Sequence, residues 1–384
     1  MSHHDPVCIV GIGETPPVRR SDKNLRQLVI DASIEAIADA GLSPSDIDGI
    51  VTDSVIMPNS VPHEYVAAQL GIDRTFDAAL SYGGAGIVCA PMLAEMAIRA
   101  GRAKNVLCYF GVDWGSIPAG PYGFHDLYPA KTAYEKPFGF SGQPSYFALW
   151  ARRYMHEYGL KEEDLAMIAV NQRKNALLTG RSQARSELTL EDYMNSRVIS
   201  DPLRVPDCCL ISDGAGAFVM TSAERAKDLR KPPVNVLGVG FAMETMTGDD
   251  IFTQKPDLMH IPGAAEAGRQ ACERSGISLD DVDFAEIYDC FTISCLMQIE
   301  DIGFCKKGEA ADFLRSKGTT VDGGFPVNTH GGLLSYSYRL GVEHVVEAVR
   351  QLRGEAGANQ VKNARIGLVG GLSMPDYGVA ILGR

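Results

Sequence analysis

The sequence predicts an α/β protein that is built from two related halves. Gly41–Asp48 and Gly276–Asp283 each follow an amphipathic helical segment and lead into an apolar strand through a glycine and an acidic turn. The similarity extends upstream, because Val10–Gly13 stands before the first helix as Leu237–Gly240 stands before the second. Similar units half a chain apart indicate duplicated halves. The alternative is that helix-turn-strand units of α/β proteins often look alike.

The two halves are predicted at residues 1–230 and 234–384, on either side of the proline-containing Lys231–Pro233. A chain of 384 residues with 45% hydrophobic content can bury two cores of ordinary domain size. A loop region of about residues 112–200 lies in the first half, and its start, Trp114–Pro144, is rich in glycine, proline and aromatic residues. A loop of this length inside a compact enzyme usually contributes to a site or to a subunit contact.

The strongest helical patterns fall outside that loop. Leu25–Asp39 and Ala264–Arg274 are the helices of the repeat, and Tyr146–Tyr158, Lys161–Leu178 and Val342–Gly354 show the same periodicity. The glycine at the end of the last segment is a typical helix stop.

The charge of the chain excludes a nucleic-acid partner. The net charge is -12 and the pI is about 5.2, and the 36 basic residues form no run. The chain contains no run of about 18 apolar residues, so no membrane span is expected. Its first residues lack the pattern of a secretion signal, and we expect a soluble, cytoplasmic protein.

Nine cysteines are scattered along the chain without a CxxC pair, and no histidines cluster at ligand spacing. Most of these cysteines stand among Val, Leu, Ile and Phe, where a thiol behaves as a small buried apolar group. We therefore expect neither a disulfide framework nor a metal site.

Several motifs occur in an order that resembles one protein family. They are Val10–Pro16, Ser212–Phe218, Glu286–Thr292, Asn328–Gly341 and Gln351–Gly354. Together they resemble the thiolase superfamily, in its lipid-transfer-protein or sterol-carrier-protein thiolase branch. The resemblance covers nearly the whole chain.

This resemblance implies a thiolase fold, a duplicated five-layered αβαβα structure with a loop domain inserted in the first half. It also implies a homodimer that acts on acyl-CoA thioesters, with coenzyme A present only as part of the substrate and no cofactor bound by this chain. Some family members pair with a DUF35-type protein, made of a zinc ribbon and an OB fold, which gives a heterotetramer.

The sequence departs from the family at the nucleophile. A thiolase needs a cysteine at a helix N-terminus, where the helix dipole lowers the pKa of the thiol. In Tyr82–Ala90 the family motif places Gly83 at that position and Gly86 at the motif glycine. The second thiolase cysteine would fall in Leu368–Met374, which contains none. Acyl transfer through an enzyme thioester is therefore not expected.

Cys89 is the nearest remaining thiol, and it is the alternative nucleophile. It lies about a turn and a half further along the predicted helix Ile87–Ala100. Its place in the motif is that of a small packing residue.

A second departure lies in the late glycine-bearing loop. Aligned on Asn328, Gly331, Gly332 and Gly341, the family pattern puts Tyr338 where the catalytic histidine would stand. Tyr336, two residues earlier, takes that role if the register of the loop differs.

Glycines and one asparagine are expected to shape the site around these positions. Asn328, Gly331 and Gly332 are expected to set the backbone of the loop, since glycine permits positive φ and close approach of a ligand. Together with Gly83 and Gly84, the loop glycines can offer backbone N–H groups to an oxyanion.

Family members without the cysteine include carbon–carbon lyases of steroid side-chain degradation, which carry out a retro-aldol cleavage of a β-hydroxyacyl-CoA. They are thought to use two tyrosines, which match Tyr288 and Tyr338 in this chain. One would act as base and the other as proton donor, in an order that the sequence does not fix. A phenol has a pKa of about 10, so the base needs a lowered pKa or a proton relay. Candidate helpers are His330, Asp289 and His125.

Two other functions remain open at this point. One is a divergent thiolase or acyl-CoA acyltransferase that uses Cys89. The other is a non-catalytic thiolase-like subunit that works only in a complex with a DUF35-type partner. The sequence does not identify the acyl group of the substrate.

Overall fold

A computed structural model describes residues 6–53, 60–118, 129–244 and 257–384. The strands are β1 (Val7–Glu14), β2 (Gly49–Thr52), β3 (Phe76–Ala79), β4 (Asn105–Asp113), β5 (Val198–Ser200), β6 (Leu203–Arg204), β7 (Asp213–Ser222), β8 (Val234–Met243), β9 (Phe284–Glu286), β10 (Ile366–Leu372) and β11 (Asp376–Gly383).

The helices are α1 (Leu25–Asp39), α2 (His63–Leu70), α3 (Gly86–Arg99), α4 (Pro129–Tyr134), α5 (Gln143–Tyr158), α6 (Glu162–Leu178), α7 (Leu190–Met194), α8 (Ala223–Ala226), α9 (Ala264–Ser275), α10 (Thr292–Ile302), α11 (Ala310–Lys317), α12 (Gly332–Ser335) and α13 (Val342–Arg353). All of the helices predicted from periodicity are present, with ends that differ by at most a few residues. None of the helices in the described ranges is both long and apolar enough to cross a membrane.

The main sheet repeats one strand order on both sides of its centre. It runs β3-β2-β4-β7-β1-β8-β11-β10-β9, and β1 and β8 pair at the centre. On the side of β1, the pairs β1–β7 and β7–β4 are antiparallel, and the pairs β4–β2 and β2–β3 are parallel. On the side of β8, the pairs β8–β11 and β11–β10 are antiparallel, and the pair β10–β9 is parallel. The division at residues 230–234 stays a prediction, because the β1–β8 pairing makes the sheet continuous.

The Gly-x-Gly pairs of the sequence repeat have a packing role. A Cβ on Gly11 or Gly13 would overlap backbone oxygens of α1, which lies directly against β1. A Cβ on Gly238 or Gly240 would overlap backbone oxygens of α9 in the same way. Glycine at alternate strand positions therefore lets each outer helix approach its strand closely.

Two helices form the middle layer. The strands of both halves contact α3, and α13 lies beside it against strands of both halves as well. Because α1 and α9 cover the outer faces, the order of layers is helix, first half of the sheet, helix, second half of the sheet, helix. The N-termini of α3 and α13 follow Gly83 and Gly341, two of the glycines that the family patterns identify.

A buried charged group ties the first strand to the loop before α13. Glu14 at the end of β1 accepts hydrogen bonds from Arg339 Nη2 at 2.6 Å and from Tyr336 Oη at 2.7 Å. Arg350 Nη2 lies 2.7 Å from the same carboxylate, and the side chain of Arg339 is fully buried. Burial alone would raise the pKa of Glu14, but Arg350, Arg339 and Arg181 lower it well below its usual value.

Replacement of Glu14 by Gln should therefore destabilise the fold. Removing one partner leaves buried arginines without their counter-charge, which we expect to lower the free energy of unfolding by about 3 kcal/mol. Because the pKa of Glu14 is depressed in the folded state, its contribution is complete above the unfolded value of 4.5 and is lost as the pH falls below it. Urea denaturation at pH 7 and pH 4 should show a large difference between wild type and variant that shrinks at the lower pH. The control is Glu95→Gln, which removes a half-buried helix pair with Arg99 and should change stability by less than about 1 kcal/mol. Equal effects of the two substitutions would contradict this role of Glu14.

Candidate active site

Two tyrosine hydroxyls meet in the interior of the second half. Tyr288 stands two residues after β9, and Tyr338 lies in the connection between α12 and α13. Their Oη atoms are 2.9 Å apart, a hydrogen bond in which either hydroxyl can donate. The side chains are only 3% and 7% exposed. The structure thus brings together the two tyrosines that the sequence singled out, although 50 residues separate them.

Contacts of both the backbone and the ring fix the position of Tyr338. Its N–H donates to Ser212 Oγ at 2.9 Å, and the ring of Trp114 packs edge-on against its ring at a centroid distance of 4.6 Å. The neighbouring Tyr336 directs its hydroxyl to Glu14 instead. Of the two register alternatives for the loop, the structure therefore has the one that aims Tyr338 at Tyr288.

The ring of Tyr288 packs against the start of α3. A Cβ on Gly84 would overlap this ring, and a Cβ on Gly341 would lie 3.4 Å from it. The carbonyl oxygen of Tyr288 accepts a hydrogen bond from Gln298 Nε2 at 2.6 Å. Glycine at position 84 is thus required for the tyrosine to reach the N-terminus of the helix.

The positions that a thiolase would fill with cysteines adjoin one another in this chain. Gly83, where the nucleophile is expected, has φ +58°, and a Cβ there would lie 3.3 Å from Ser373 Oγ. Ser373 stands just after β10, in the segment where the second cysteine would fall. Within the parts of the chain that the structure describes, no acceptor is paired with the N–H of Gly83 or of Gly84. Two N–H groups at a helix N-terminus can stabilise a negative oxygen.

Cys89 is a poor candidate for a nucleophile. It is buried on α3, and its Sγ faces Gly378 on β11, where a Cβ would overlap it. Burial, together with the nearby Asp53 and Asp376 carboxylates, raises the pKa of the thiol well above its usual value. A reactive cysteine needs the opposite shift, because the thiolate is the nucleophile.

The sequence did not single out two other thiols near the tyrosine pair. Cys209 donates its N–H to the carbonyl oxygen of Cys290 at 2.9 Å, and burial raises the pKa of the Cys290 thiol to about 12. Both thiols are near enough to Tyr338 that their negative charge would raise its pKa. The sequence signal for Cys290 was its place two residues after Tyr288, but most of the cysteines have a similarly apolar setting.

Asn328 fixes the segment that carries Tyr288. Its Oδ1 accepts from the N–H of Ile287 at 2.6 Å, and its Nδ2 donates to the carbonyl oxygen of Ile287 at 2.9 Å. The side chain therefore acts like one strand residue paired with another. Asn328 itself has φ +51°, a left-handed conformation that asparagine tolerates better than most residues.

The two glycines after Asn328 permit close packing of the loop. Gly331 has φ +101° and donates its N–H to the carbonyl oxygen of Asn328 at 2.7 Å. Gly332 has φ +61°, and a Cβ there would overlap Asp289. Since the N–H of Gly331 already has an acceptor, an oxyanion role for these two glycines stays a prediction.

Asp289 and His330 do not point at the tyrosine hydroxyls. Asp289 accepts the N–H groups of Leu333 at 2.9 Å and Leu334 at 3.2 Å, at the start of α12. His330 Nδ1 lies 3.0 Å from Glu286 Oε2. These contacts shape the loop. The third candidate helper, His125, lies outside the described residues.

A buried carboxylate–imidazole cluster surrounds this part of the chain; it consists of Glu286, Asp289, His330 and His344. His344 Nδ1 is 3.7 Å from Glu286 Oε2, and its Nε2 is 3.5 Å from Asp289 Oδ1. Burial opposes a charge on His344, but Asp289 and Glu286 prevail and raise the pKa of its imidazole to about 10. Periodicity places His344 on the apolar face of α13, a position that gave no functional signal.

The same cluster includes the only trio of His, Cys, Asp or Glu side chains in the described ranges whose ligand atoms come close enough for a metal ion. Ligand atoms of Glu286, His330 and His344 lie within 4.8 Å of one another. A protonated imidazole has no lone pair for a metal, so the raised pKa of His344 favours an ion-paired cluster over a metal site. The absence of a metal site stays a prediction.

Burial sets the protonation of the tyrosine pair. It raises the pKa of both Tyr288 and Tyr338 well above the ordinary phenol value, and the mutual proximity of the two rings adds to the effect on Tyr288. Both hydroxyls are therefore neutral near pH 7. A tyrosine can act as a base through a lowered pKa or through a proton relay. Because the pKa of both tyrosines is raised, only the relay remains.

The fold and site together define a thiolase-like protein in which, by the family pattern, Gly83 stands at the position of the nucleophile and Tyr338 at that of the catalytic histidine. Residues 245–384 match the family described as thiolase C-terminal domain-like. The steroid side-chain-cleaving aldolase of Thermomonospora curvata is 36% identical over 97% of this chain and 97% of its own length. The 17-hydroxy-3-oxo-4-pregnene-20-carboxyl-CoA lyase of Mycobacterium tuberculosis is also 36% identical, over 97% of this chain and 98% of its own.

A solved structure of an Ltp2-ChsH2(DUF35) aldolase matches with a TM-score of 0.91 and 36% identity, over 99% of this chain and 98% of that one. The chain has the thiolase fold and belongs to the thiolase superfamily, in the thiolase-like branch that contains these aldolases. The predicted fold class and family are confirmed.

The environment of Cys89 predicts that iodoacetamide will not modify it in the native protein. The thiol is buried and its pKa is raised, so neither access nor thiolate is available. Peptide mass spectrometry should find Cys272, which is partly exposed, modified well before Cys89. Cys89 should react only after unfolding in urea. Rapid native labelling of Cys89 with a parallel loss of activity would instead support the acyltransferase alternative.

Proposed function

We propose that this protein is an acyl-CoA aldolase, a carbon–carbon lyase that cleaves a β-hydroxyacyl-CoA by a retro-aldol reaction. The single observation that carries the proposal is the 2.9 Å contact between the hydroxyls of Tyr288 and Tyr338. This pair adjoins the helix N-terminus at which a thiolase would hold its nucleophile.

The reaction moves one proton and breaks one carbon–carbon bond. The β-hydroxyl gives up its proton, the Cα–Cβ bond breaks, and Cβ becomes the carbonyl carbon of a ketone or aldehyde. The electrons of the broken bond form the enolate of the shortened thioester, which takes a proton at Cα. Atoms and charge balance without an oxidant, a reductant or a covalent acyl-enzyme.

The neutral tyrosine pair can carry that proton by a relay. One hydroxyl accepts the proton of the substrate as it passes its own proton to the other, and the second hydroxyl protonates Cα. A relay of this kind needs no free tyrosinate, which agrees with the raised pKa of both phenols. The direction of the relay depends on which tyrosine faces the β-hydroxyl.

The start of α3 can stabilise the enolate. The N–H groups of Gly83 and Gly84 belong to the short 3₁₀ turn that leads into α3, at a helix N-terminus, where the helix dipole favours negative charge. Donors placed before the reaction contribute most where charge develops, and an enolate oxygen is such a place. The other predicted helpers with known positions, His330, Asp289 and Asn328, hold the loops in our proposal.

The relatives support a proposal for the substrate and for the assembly. Two relatives are named for steroid side-chain cleavage and for a pregnene carboxyl-CoA, so we propose an acyl-CoA with a bulky, steroid-like acyl group. The similar solved structure is a complex with a DUF35 protein, so we propose the same kind of partner here. A homodimer has a suitable contact in β3, an edge strand of the main sheet whose residues alternate between partly buried and exposed.

The tyrosine relay predicts the effect of removing either hydroxyl. Tyr338→Phe and Tyr288→Phe should each lower kcat by about 10²- to 10⁴-fold with little change in KM, because general acid–base groups contribute that much. Stability should fall by only about 1 kcal/mol, the usual value of one hydrogen bond. The measurement is the rate of cleavage of a series of β-hydroxyacyl-CoA esters, including a steroid side-chain thioester.

Tyr336→Phe is the matched control for these variants. It removes a buried tyrosine hydroxyl from the same loop, but that hydroxyl binds Glu14 and not the tyrosine pair. We expect it to keep the wild-type kcat within a few fold. Full activity in Tyr338→Phe would refute the tyrosine mechanism.

The proposed assembly predicts two molar masses by light scattering. The purified chain should give twice its 41.4 kDa, and co-expression with a DUF35-type protein should give a complex with two copies of each. A monomer that the DUF35-type protein does not shift would contradict both parts of the assembly.

A further inference from the structure

The strongest unexplained feature is His344, a fully buried histidine that the proposed chemistry does not use. It is the third residue of α13, the helix that follows the loop of Tyr338. Its two ring nitrogens face two carboxylates, those of Glu286 and Asp289. These residues stand two before and one after Tyr288 in the chain.

The two carboxylates differ in what they hold. Asp289 accepts the N–H groups of Leu333 and Leu334, and thereby fixes the start of α12, the helix just before Tyr338. Glu286 accepts the hydroxyl and the N–H of Thr329, at 2.6 Å and 3.1 Å. Each carboxylate therefore ties the Tyr288 segment to the Tyr338 loop.

Two buried carboxylates on either side of one imidazole repel one another unless a positive charge lies between them. The groups that face His344 are Glu286 and Asp289 from the β9–α10 segment, His330 from the loop and Glu343 from its own helix. Arg339 N–H donates to Glu343 Oε1 at 2.6 Å. The ring of Tyr288 also packs edge-on against the imidazole at a centroid distance of 6.5 Å.

We propose that His344 is a positioning residue for the tyrosine pair: its imidazolium bridges Glu286 and Asp289 and so sets the contact between Tyr288 and Tyr338. The expected loss of kcat rests on the proposed function. The expected separation of the two tyrosine hydroxyls does not depend on it. Without the bridge, the carboxylates separate, α12 shifts with Asp289, and the hydroxyl of Tyr338 leaves hydrogen-bond distance of Tyr288.

His344→Gln tests this role, since glutamine can bind one carboxylate but carries no charge. We expect kcat for thioester cleavage to fall about 10²-fold, the effect of a displacement of about 1 Å in a catalytic group, with KM changed less than about twofold. The assay uses the protein together with its DUF35-type partner.

The dependence of kcat on pH distinguishes a positioning role of His344 from a purely structural one. The pKa of His344 is raised to about 10, so the wild-type charge is complete at pH 7 and is lost as the pH rises toward 10. The kcat of the wild type should fall over that range, and the variant should lack this step. A wild-type kcat that stays level up to pH 10 would overturn the proposal.

The matched control is Lys307→Gln, which also removes a cation from between two buried carboxylates. Lys307 Nζ lies 3.2 Å from Glu300 and 2.6 Å from Asp301, after the end of α10. Both variants should lose thermal stability, but only His344→Gln should lose kcat. Equal stability losses with wild-type kcat in both would show that His344 is merely structural, and would overturn the proposal.

Two measurements test the positioning role of His344 even if no tested thioester is cleaved. Histidine-selective NMR of the wild type at pH 8.5 should show an imidazolium signal that His344→Gln lacks, and a crystal structure of the variant should show the Tyr288 and Tyr338 hydroxyls separated. An unchanged 2.9 Å contact in the variant, a neutral His344, or a metal ion bound in stoichiometric amount at Glu286, His330 and His344 would each overturn the proposal. If the geometry changes as expected and wild type cleaves no thioester, the proposed function fails alone.

Discussion

The close approach of the Tyr338 loop to the segment after β9 is the constraint on which the site depends. Asn328 pairs with the backbone of Ile287, and Asp289 pairs with the backbone of Leu333 and Leu334, so each segment holds the other. The tyrosine hydroxyls meet because this hydrogen-bonded framework holds the two buried segments together. Glu14, on the first strand, extends the same framework to the other half through Tyr336 and Arg339.

In the proposed mechanism, this framework keeps the site usable without the thiolase nucleophile. A helix N-terminus that would activate a thiol also favours an enolate oxygen, and glycine there leaves room for the ring of Tyr288. Burial keeps both phenols neutral, which suits a hydroxyl relay and disfavours a tyrosinate base. The imidazole of His344 lies between the carboxylates of Glu286 and Asp289 and against the ring of Tyr288.

The sequence predicted the fold well because its repeat has a local physical cause. Glycine at alternate positions of β1 and β8 admits a closely packed helix in each half, and this leaves a pattern that one sequence can show. Tyr338 was predictable as a substitution at a family motif position, and Tyr288 from its match to the second tyrosine of the lyases that the sequence resembles. His344, Ser212 and Ser373 were not, since each is an ordinary residue locally and acquires its role only from partners far along the chain. The placement of Tyr336 against Glu14 likewise needed the structure, because a shift of two residues leaves the loop pattern nearly the same.

The central claim is a retro-aldol cleavage that proceeds without an acyl-enzyme. Its most direct test is mass spectrometry of the reaction of the protein and its partner with a β-hydroxyacyl-CoA in D₂O. The account predicts a ketone or aldehyde together with a shortened acyl-CoA that carries one solvent deuterium at Cα, while the mass of the protein stays unchanged. A protein that gains the mass of an acyl group during turnover, or an acyl group that is transferred to added coenzyme A, would contradict it.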